Sequence, residues 1–136
     1  MSIILDTSFL IAINDSKDSN HKKANELKPR VRNKEFGQCY ISDYIFDEFA
    51  TFLKAKSFRN SFINEVGNAL LSNEEIRILR VDENSFFQSW EMFKKMEKLS
   101  FTDCTTIILA KEFSIKKIAS FDSDFDKVSY LERVQK

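Results

Sequence analysis

Short apolar runs alternate with amphipathic stretches along the chain, and this alternation predicts a series of strands and helices. The runs Ser2–Leu5 and Ile118–Phe121 are brief and almost wholly apolar, as strands buried on both faces are. Strands are predicted at residues 2–5, 38–41, 75–81 and 117–121, with a further candidate at 128–134. Helices are predicted at residues 7–13, 21–31, 43–56, 60–71 and 84–99, and a last helix, capped by Ser100 or Thr102, runs to about Phe113.

Strands that alternate with helices predict a parallel sheet with helices on both faces. A length of 136 residues predicts one domain, residues 1–136, and no linker or internal repeat interrupts it. Ligands of such sheets bind beyond the carboxyl ends of the strands. Asp6 and Asp122 both directly follow predicted strands, so this edge is where a functional site is expected.

The helix predicted at residues 84–99 carries a run of large apolar side chains. Phe86, Phe87, Trp90 and Phe93 recur at roughly helical spacing. We interpret this set as mostly core, because aromatic stripes at this spacing usually face the interior.

Composition narrows the function classes. Lys and Arg together number 21, as do Asp and Glu, so the formal net charge is zero and the chain as a whole lacks the basic footprint of most nucleic-acid binders.

The two cysteines, Cys39 and Cys104, form no metal or redox motif and predict free buried thiols. No apolar run reaches the length of a membrane span and no basic leader precedes the first strand, so we expect a cytoplasmic protein without a membrane contact.

Five acidic residues fall in or beside apolar segments and are the candidate chemistry: Asp6, Glu48, Asp103, Asp122 and Asp124. Burial disfavours the charged form of an isolated carboxylate. A divalent cation shared by several carboxylates would offset that cost, and hard cations such as Mg²⁺ and Mn²⁺ prefer oxygen ligands.

Each of these residues also has a purely structural explanation. Asp6 and Asp103 could be helix-capping residues, and Asp122 could belong to a polar turn. Glu48 could form a surface ion pair, although Phe52 occupies the position four residues later where a helical partner would lie. Asp47, by contrast, falls on the polar face of the same helix and is expected to point to water.

The order and setting of the acidic residues are more specific than any one of them. The segments that carry them are Ile4-Leu5-Asp6-Thr7-Ser8-Phe9-Leu10, Ile41-Ser42 through Asp47-Glu48, Leu99-Ser100-Phe101-Thr102-Asp103, and Ile118-Ala119-Ser120-Phe121-Asp122-Ser123-Asp124-Phe125. This series resembles the PIN-domain ribonucleases, particularly the VapC-type toxins of VapBC toxin–antitoxin pairs. The resemblance covers essentially the whole chain.

The resemblance implies a three-layer α/β/α fold with a central parallel sheet. It implies a Mg²⁺- or Mn²⁺-dependent endoribonuclease whose catalytic residues are Asp6, Glu48, Asp103 and Asp122. Asp124 would be a further metal ligand, and Thr7 or Ser8 would help to shape the site. The resemblance also implies an RNA substrate, a cognate antitoxin that blocks the acidic cleft, and a homodimer.

Two other functions share a strand-ending aspartate. A phosphatase of the haloacid dehalogenase type needs a second Asp two residues after the first, where this chain has Ser8. A receiver-like signalling module needs an acidic pair after the first strand and a lysine after the last, but Thr7 follows Asp6 and no suitable lysine follows Phe121. Both alternatives therefore fit the sequence less well than the nuclease.

Overall fold

The computed structural model of the chain describes all residues from Met1 to Lys136. The strands are β1 (Ser2–Leu5), β2 (Gln38–Ser42), β3 (Ile76–Leu79), β4 (Lys117–Ala119) and β5 (Glu132–Val134). The helices are α1 (Thr7–Asn14), α2 (His21–Arg32), α3 (Asp43–Ala55), α4 (Asn60–Ser72), α5 (Glu83–Lys95) and α6 (Phe101–Glu112), and a 3₁₀ helix spans Ser123–Lys127. Every predicted element is present, but α5 ends four residues early and β5 forms only in the last part of its predicted segment.

All five strands are parallel and lie in the order β3-β2-β1-β4-β5. After β1 the chain adds strands on one side, through β2 to β3, and then returns to the other side of β1 for β4 and β5. The direction of winding therefore reverses between β1 and β4. In open parallel sheets, the crevice at such a reversal, beyond the carboxyl ends of the strands, is where ligands bind. The expected three-layer α/β/α fold is confirmed.

Burial on both faces explains why the central strand is a continuous apolar run in the sequence. Ile3, Ile4 and Leu5 are buried on both faces of the central strand β1. α6 is also buried almost all round, because its Cys104–Ala110 segment lies inside the protein. This burial places the first turn of α6 firmly beside the sheet.

Gly37 lies where the pairing of β1 with β2 begins, and its backbone is in the left-handed region. Gly37 has a φ of 85°, and a Cβ at this position would collide with the backbone carbonyl of Met1. The next residue, Gln38, donates its N–H to the same carbonyl oxygen over 3.2 Å. Only glycine allows the two strands to approach this closely at their start.

The exposure of the aromatic residues of α5 shows that their interpretation as mostly core residues was wrong. Phe86, Phe87, Trp90 and Phe93 are between 36% and 57% exposed and are not core residues. The buried face of α5 instead carries two serines, Ser85 and Ser89. Helical spacing could not reveal this, because it gives the relative position of side chains and not which face meets α6.

Two smaller expectations concern the cysteines and the membrane. Cys39 and Cys104 are free and buried, as predicted. None of the helices combines the length with the apolar character that crossing a bilayer would require.

Candidate active site

A cleft of about 400 Å³ lies at the carboxyl ends of β1 and β4 and is lined mainly by polar and charged residues. It collects residues from α1, α3, the start of α6 and the segment after β4. The predicted Asp6, Glu48, Asp103 and Asp122 all line it, so the expected convergence of these four side chains is confirmed. The full lining is Asp6, Thr7, Ser8, Ile11, Glu48, Phe52, Lys98, Ser100, Asp103 and Asp122.

Asp6 is fixed at the base of the cleft by two serine hydroxyls. Ser8 Oγ and Ser120 Oγ donate to the same carboxylate oxygen, Oδ2, over 2.8 and 2.7 Å. Asp6 stands at the N-cap position of α1, yet its side chain makes no capping hydrogen bond, which removes the capping explanation. Burial raises the pKa of Asp6, the two hydroxyls partly oppose that rise, and the nearby charge of Glu48 adds to it.

The same serines connect the two strand ends. Ser8 Oγ accepts the backbone N–H of Phe121 at 3.0 Å, and Ser120 Oγ accepts that of Asp122 at 3.0 Å. The Asp6 backbone N–H donates to the Ala119 carbonyl over 3.0 Å. Asp6 and the chain entering Asp122 are therefore held in one rigid network across the β1–β4 boundary.

Asp103 has both a structural and a site role. Its Oδ2 accepts the Ser100 N–H at 3.0 Å, and Ser100 Oγ accepts the Asp103 N–H at 3.0 Å, so the two residues form a capping box at the start of α6. The predicted cap is thus real, and it is Ser100 rather than Thr102. Burial, together with the nearby charges of Asp6 and Asp122, raises the pKa of the Asp103 carboxyl to about 7, although its hydrogen bonds with Ser100 oppose that rise.

Glu48 and Asp47 lie on different sides of α3, as the helical pattern predicts. Glu48 is half-buried, lines the cleft and takes part in none of the ion pairs of the molecule. The explanation of Glu48 as a surface ion-pair residue is therefore removed. Asp47 is exposed and accepts only a long hydrogen bond from Thr51 Oγ1, at 3.4 Å.

Of the two acids after β4, only Asp122 reaches the cleft. Asp122 also caps the 3₁₀ helix, because its Oδ1 accepts the Asp124 N–H at 2.9 Å. Asp124 is not among the cleft-lining residues, and its carboxylate lies 4.0 Å from the Nζ of Lys127. The structure thus separates two residues that the sequence could not rank.

Three further residues complete the site. The Thr7 hydroxyl is buried, lines the cleft and has no hydrogen-bond partner within the protein. Lys98 is the single basic residue of the cleft, and it was not among the predicted site residues. Ser120, which donates a hydrogen bond to Asp6, was also not predicted. The available signal was its position, directly after a buried strand and two residues before Asp122.

The donor set suits a hard divalent cation. Four carboxylates and one lysine line the cleft, together with Thr7, whose buried hydroxyl has no hydrogen-bond partner. No three acidic side chains are gathered closely enough to hold one ion. The residues fit Mg²⁺ or Mn²⁺ by the chemistry of their oxygen donors.

A larger cavity of about 500 Å³ has a different character. It is lined mainly by apolar side chains, including Phe9, Leu10, Val66 and Leu70, and contains none of the four carboxylates. Because this cavity lacks the four carboxylates, the acidic cleft is the candidate site.

Comparisons with known proteins agree with this geometry. The chain is 26% identical over 128 residues to a protein named VapC ribonuclease from Archaeoglobus fulgidus, covering 92% of this chain and 80% of that protein. It is 24% identical to the 23S rRNA-specific endonuclease VapC20 of Mycobacterium tuberculosis, covering 96% of both.

Solved structures extend the likeness to the fold. The crystal structure of Mycobacterium tuberculosis VapC20, titled a sarcin-ricin loop cleaving toxin, superposes with a TM-score of 0.83 at 22% identity over 96% of this chain and 97% of that one. VapBC2 from Rickettsia felis, bound to a DNA fragment from its promoter, matches with a TM-score of 0.70 at 15% identity over 98% of each chain. The model of the PIN domain family matches residues 3–130. With nearly its whole length matched and its acidic cleft at the expected sheet edge, the chain belongs to the PIN domain family.

Proposed function

We propose that this protein is a Mg²⁺- or Mn²⁺-dependent endoribonuclease that acts in the cytoplasm. The observation that supports this most is the convergence of Asp6, Glu48, Asp103 and Asp122, from four separate segments, on one cleft where the winding of the sheet reverses. The ribonuclease and rRNA endonuclease names of the relatives agree with it. Neither the haloacid dehalogenase nor the receiver alternative receives support from the fold comparisons.

The residues of the cleft have different proposed roles, according to where they lie. Asp6, Glu48, Asp103 and Asp122 would hold the ion, which when bound supplies charge for the scissile phosphate and an acidified water. Ser8 and Ser120 orient Asp6 by donating to its Oδ2.

One basic group of the cleft would act on the RNA. Lys98 brings a positive charge to the backbone of the substrate. Asp103 carries a pKa of about 7 in the metal-free protein, so binding of a cation at neutral pH would release a proton from this cleft.

RNA cleavage by matched variants tests the proposal. Asp6→Asn keeps the shape of the side chain and removes its charge, so cleavage of a structured RNA with Mg²⁺ or Mn²⁺ should fall at least a hundredfold. Asp47→Asn makes the same chemical change one residue from Glu48 on the exposed face of α3 and should cleave like the parent. Full activity in Asp6→Asn, or undiminished activity of the parent in EDTA, would refute the metal-dependent mechanism.

We further propose that the protein is the toxin of a toxin–antitoxin pair and forms a homodimer. The VapBC2 complex supports an antitoxin partner, since that solved structure contains both components of such a pair. An antitoxin that blocks this cleft would need cationic groups to face four carboxylates. Expression of the chain alone should arrest growth of a bacterial host, and Asp6→Asn or co-expression of a small DNA-binding protein encoded beside it should restore growth; arrest that persists with Asp6→Asn would exclude nuclease toxicity.

A further inference from the structure

Arg133 is a charged residue of the edge strand β5 whose side chain lies inside the protein. Its side chain is only 10% exposed, whereas that of the preceding residue, Glu132, is 68% exposed. A guanidinium is costly to bury unless it is paired and hydrogen-bonded. Arg133 is not among the residues that line the acidic cleft, so its place has to be explained by its contacts within the protein.

The Arg133 guanidinium makes three hydrogen bonds, and they reach two different segments. Nε donates to Asp126 Oδ1 over 2.8 Å, and Nη2 donates to Asp126 Oδ2 over 2.9 Å. Nη1 donates to the backbone carbonyl of Ser120 over 3.3 Å. The two bonds to Asp126 form the planar fork that arginine makes with a carboxylate, and this fork fixes the direction of both side chains. Lysine has a single nitrogen and cannot make the fork and the carbonyl contact in this geometry.

These contacts hold both ends of the segment that carries Asp122. Ser120 and Asp126 are the ends of this segment, and Arg133 bridges them from β5. The Ser120 N–H also donates to the Val134 carbonyl over 3.2 Å, which ties the start of the segment to the same strand. The position of Asp122, which lines the cleft, is therefore determined from both sides along the chain.

Ser120 connects this bridge to the cleft. Its carbonyl accepts from Arg133, while its Oγ donates to Asp6 Oδ2 over 2.7 Å and accepts the Asp122 N–H at 3.0 Å. A shift of Ser120 would therefore move two of the four carboxylates relative to each other. Hydrogen bonding to Asp126 raises the pKa of Arg133, and the charge of Asp122 adds to that rise, so Arg133 also lies within electrostatic reach of Asp122.

We propose that Arg133 is a positioning residue that holds Ser120 and Asp122 in the geometry of the cleft. It does so by bridging Asp126 and the Ser120 carbonyl, and it contacts neither the ion nor the RNA. The inference rests on the proposed function for the role of Asp122 and deepens it. The competing explanation is that Arg133 only attaches β5 to the sheet.

The chain offers a matched control for that explanation. Lys117 Nζ pairs with Glu132 Oε2 at 2.8 Å, and these two residues begin β4 and β5. Because the strands are parallel, this pair lies at their amino ends, whereas the cleft lies beyond the carboxyl ends. Glu132→Gln therefore breaks an ion pair between the same two strands and leaves the Arg133 bridge in place.

Amide hydrogen exchange of the metal-free protein measures the positioning directly. Arg133→Lys keeps the charge and loses the fork, so the Asp122 amide, which is bonded to Ser120 Oγ, should exchange about tenfold faster. Asp126→Asn alters the fork from its exposed side and should accelerate the same amide to a smaller extent. The Ile4 amide of the buried central strand reports global unfolding and should exchange as in the parent, and Glu132→Gln should leave the Asp122 amide unchanged.

Three exchange results would overturn the proposal. The first is parent-like exchange of the Asp122 amide in both Arg133→Lys and Asp126→Asn. The second is an equal acceleration at Asp122 and Ile4, which would mean that Arg133 serves only global stability. The third is an acceleration of the Asp122 amide by Glu132→Gln as large as that by Arg133→Lys, which would mean that any loosening of β5 has this effect.

Mn²⁺ binding and RNA cleavage by the same variants connect the bridge to the site. Arg133→Lys should weaken Mn²⁺ binding, measured without RNA, about tenfold and lower kcat about tenfold, with KM for the RNA unchanged. A raised KM with unchanged kcat would show that Arg133 contacts the RNA and would overturn the positioning role. If the parent cleaved no RNA but Arg133→Lys still weakened Mn²⁺ binding and the protection of Asp122, the nuclease would be refuted and the positioning of Asp122 upheld.

Discussion

Replacing Asp103 with Asn should stabilise the metal-free protein, and the gain should grow with pH. The folded-state pKa of about 7 lies above the ordinary value of 3.8, so the folded protein binds more protons than the unfolded chain between these two values. Stability of the parent is therefore lost as the pH rises through this window. Asn keeps an oxygen that can accept the Ser100 N–H, so the capping box survives while the charge is removed.

The magnitude follows from the same interval. At 1.36 kcal/mol per pKa unit, the cost of ionising Asp103 reaches about 4 kcal/mol at pH 8 but only about 1.6 kcal/mol at pH 5. The advantage of Asp103→Asn over the parent should thus increase between pH 5 and pH 8 by about 2 kcal/mol, once Asp6 and Asp122 are allowed to take up part of the proton binding. The packing cost of the amide does not depend on pH and cancels from this difference.

Urea unfolding in EDTA at the two pH values measures the effect. Asp47→Asn serves as the charge-matched control on the exposed face of α3 and should not show the growing advantage. If the free-energy difference between the parent and Asp103→Asn were the same at pH 5 and pH 8, then Asp103 would not be the strained carboxylate that the cleft geometry implies.

Three further outcomes are expected. Millimolar Mg²⁺ or Mn²⁺ should raise the melting temperature of the parent at pH 8, because an ion at a hundredfold excess over its dissociation constant stabilises the fold by about 2.7 kcal/mol; an unchanged melt would count against a metal site. Ser120→Ala should lower RNA cleavage at least tenfold with the fold retained, since it removes the hydroxyl that both donates to Asp6 and accepts the Asp122 N–H; parent-like kinetics would show that this network does not position Asp6. Gly37→Ala should cost about 2 kcal/mol in urea unfolding, because an L side chain at a φ of 85° is strained and its Cβ would meet the Met1 carbonyl; a cost below about 0.5 kcal/mol would mean that the start of β2 shifts freely.

The fold was largely predictable because its strands are buried on both faces. Such strands are continuous apolar runs, and β1 stands out in the sequence for that reason. The edge strand β5 is short and only partly buried, so its limits were less clear. The orientation of α5 was predicted wrongly because its apolar stripe is directed to the surface and not to the core.

The site residues were predictable one by one, but their partners were not. Each of Asp6, Glu48, Asp103 and Asp122 was conspicuous because a carboxylate beside apolar neighbours carries a desolvation cost. Lys98 and Ser120 are unremarkable in the sequence, and only the three-dimensional structure brings them to the cleft or to Asp6. The choice between Asp122 and Asp124 depended on the 3₁₀ helix, whose turn directs the two side chains differently.

The most direct test of the shared metal centre is Mn²⁺ binding, measured by electron paramagnetic resonance on the parent and on single-charge variants. We predict that the parent binds Mn²⁺ and that Glu48→Gln and Asp122→Asn each weaken binding at least tenfold, whereas Asp47→Asn binds like the parent. Glu48 and Asp122 approach the cleft from different elements, so a joint loss would mean that they serve one ion site. Undiminished binding in both variants, or no binding by the parent at millimolar Mn²⁺, would contradict the account.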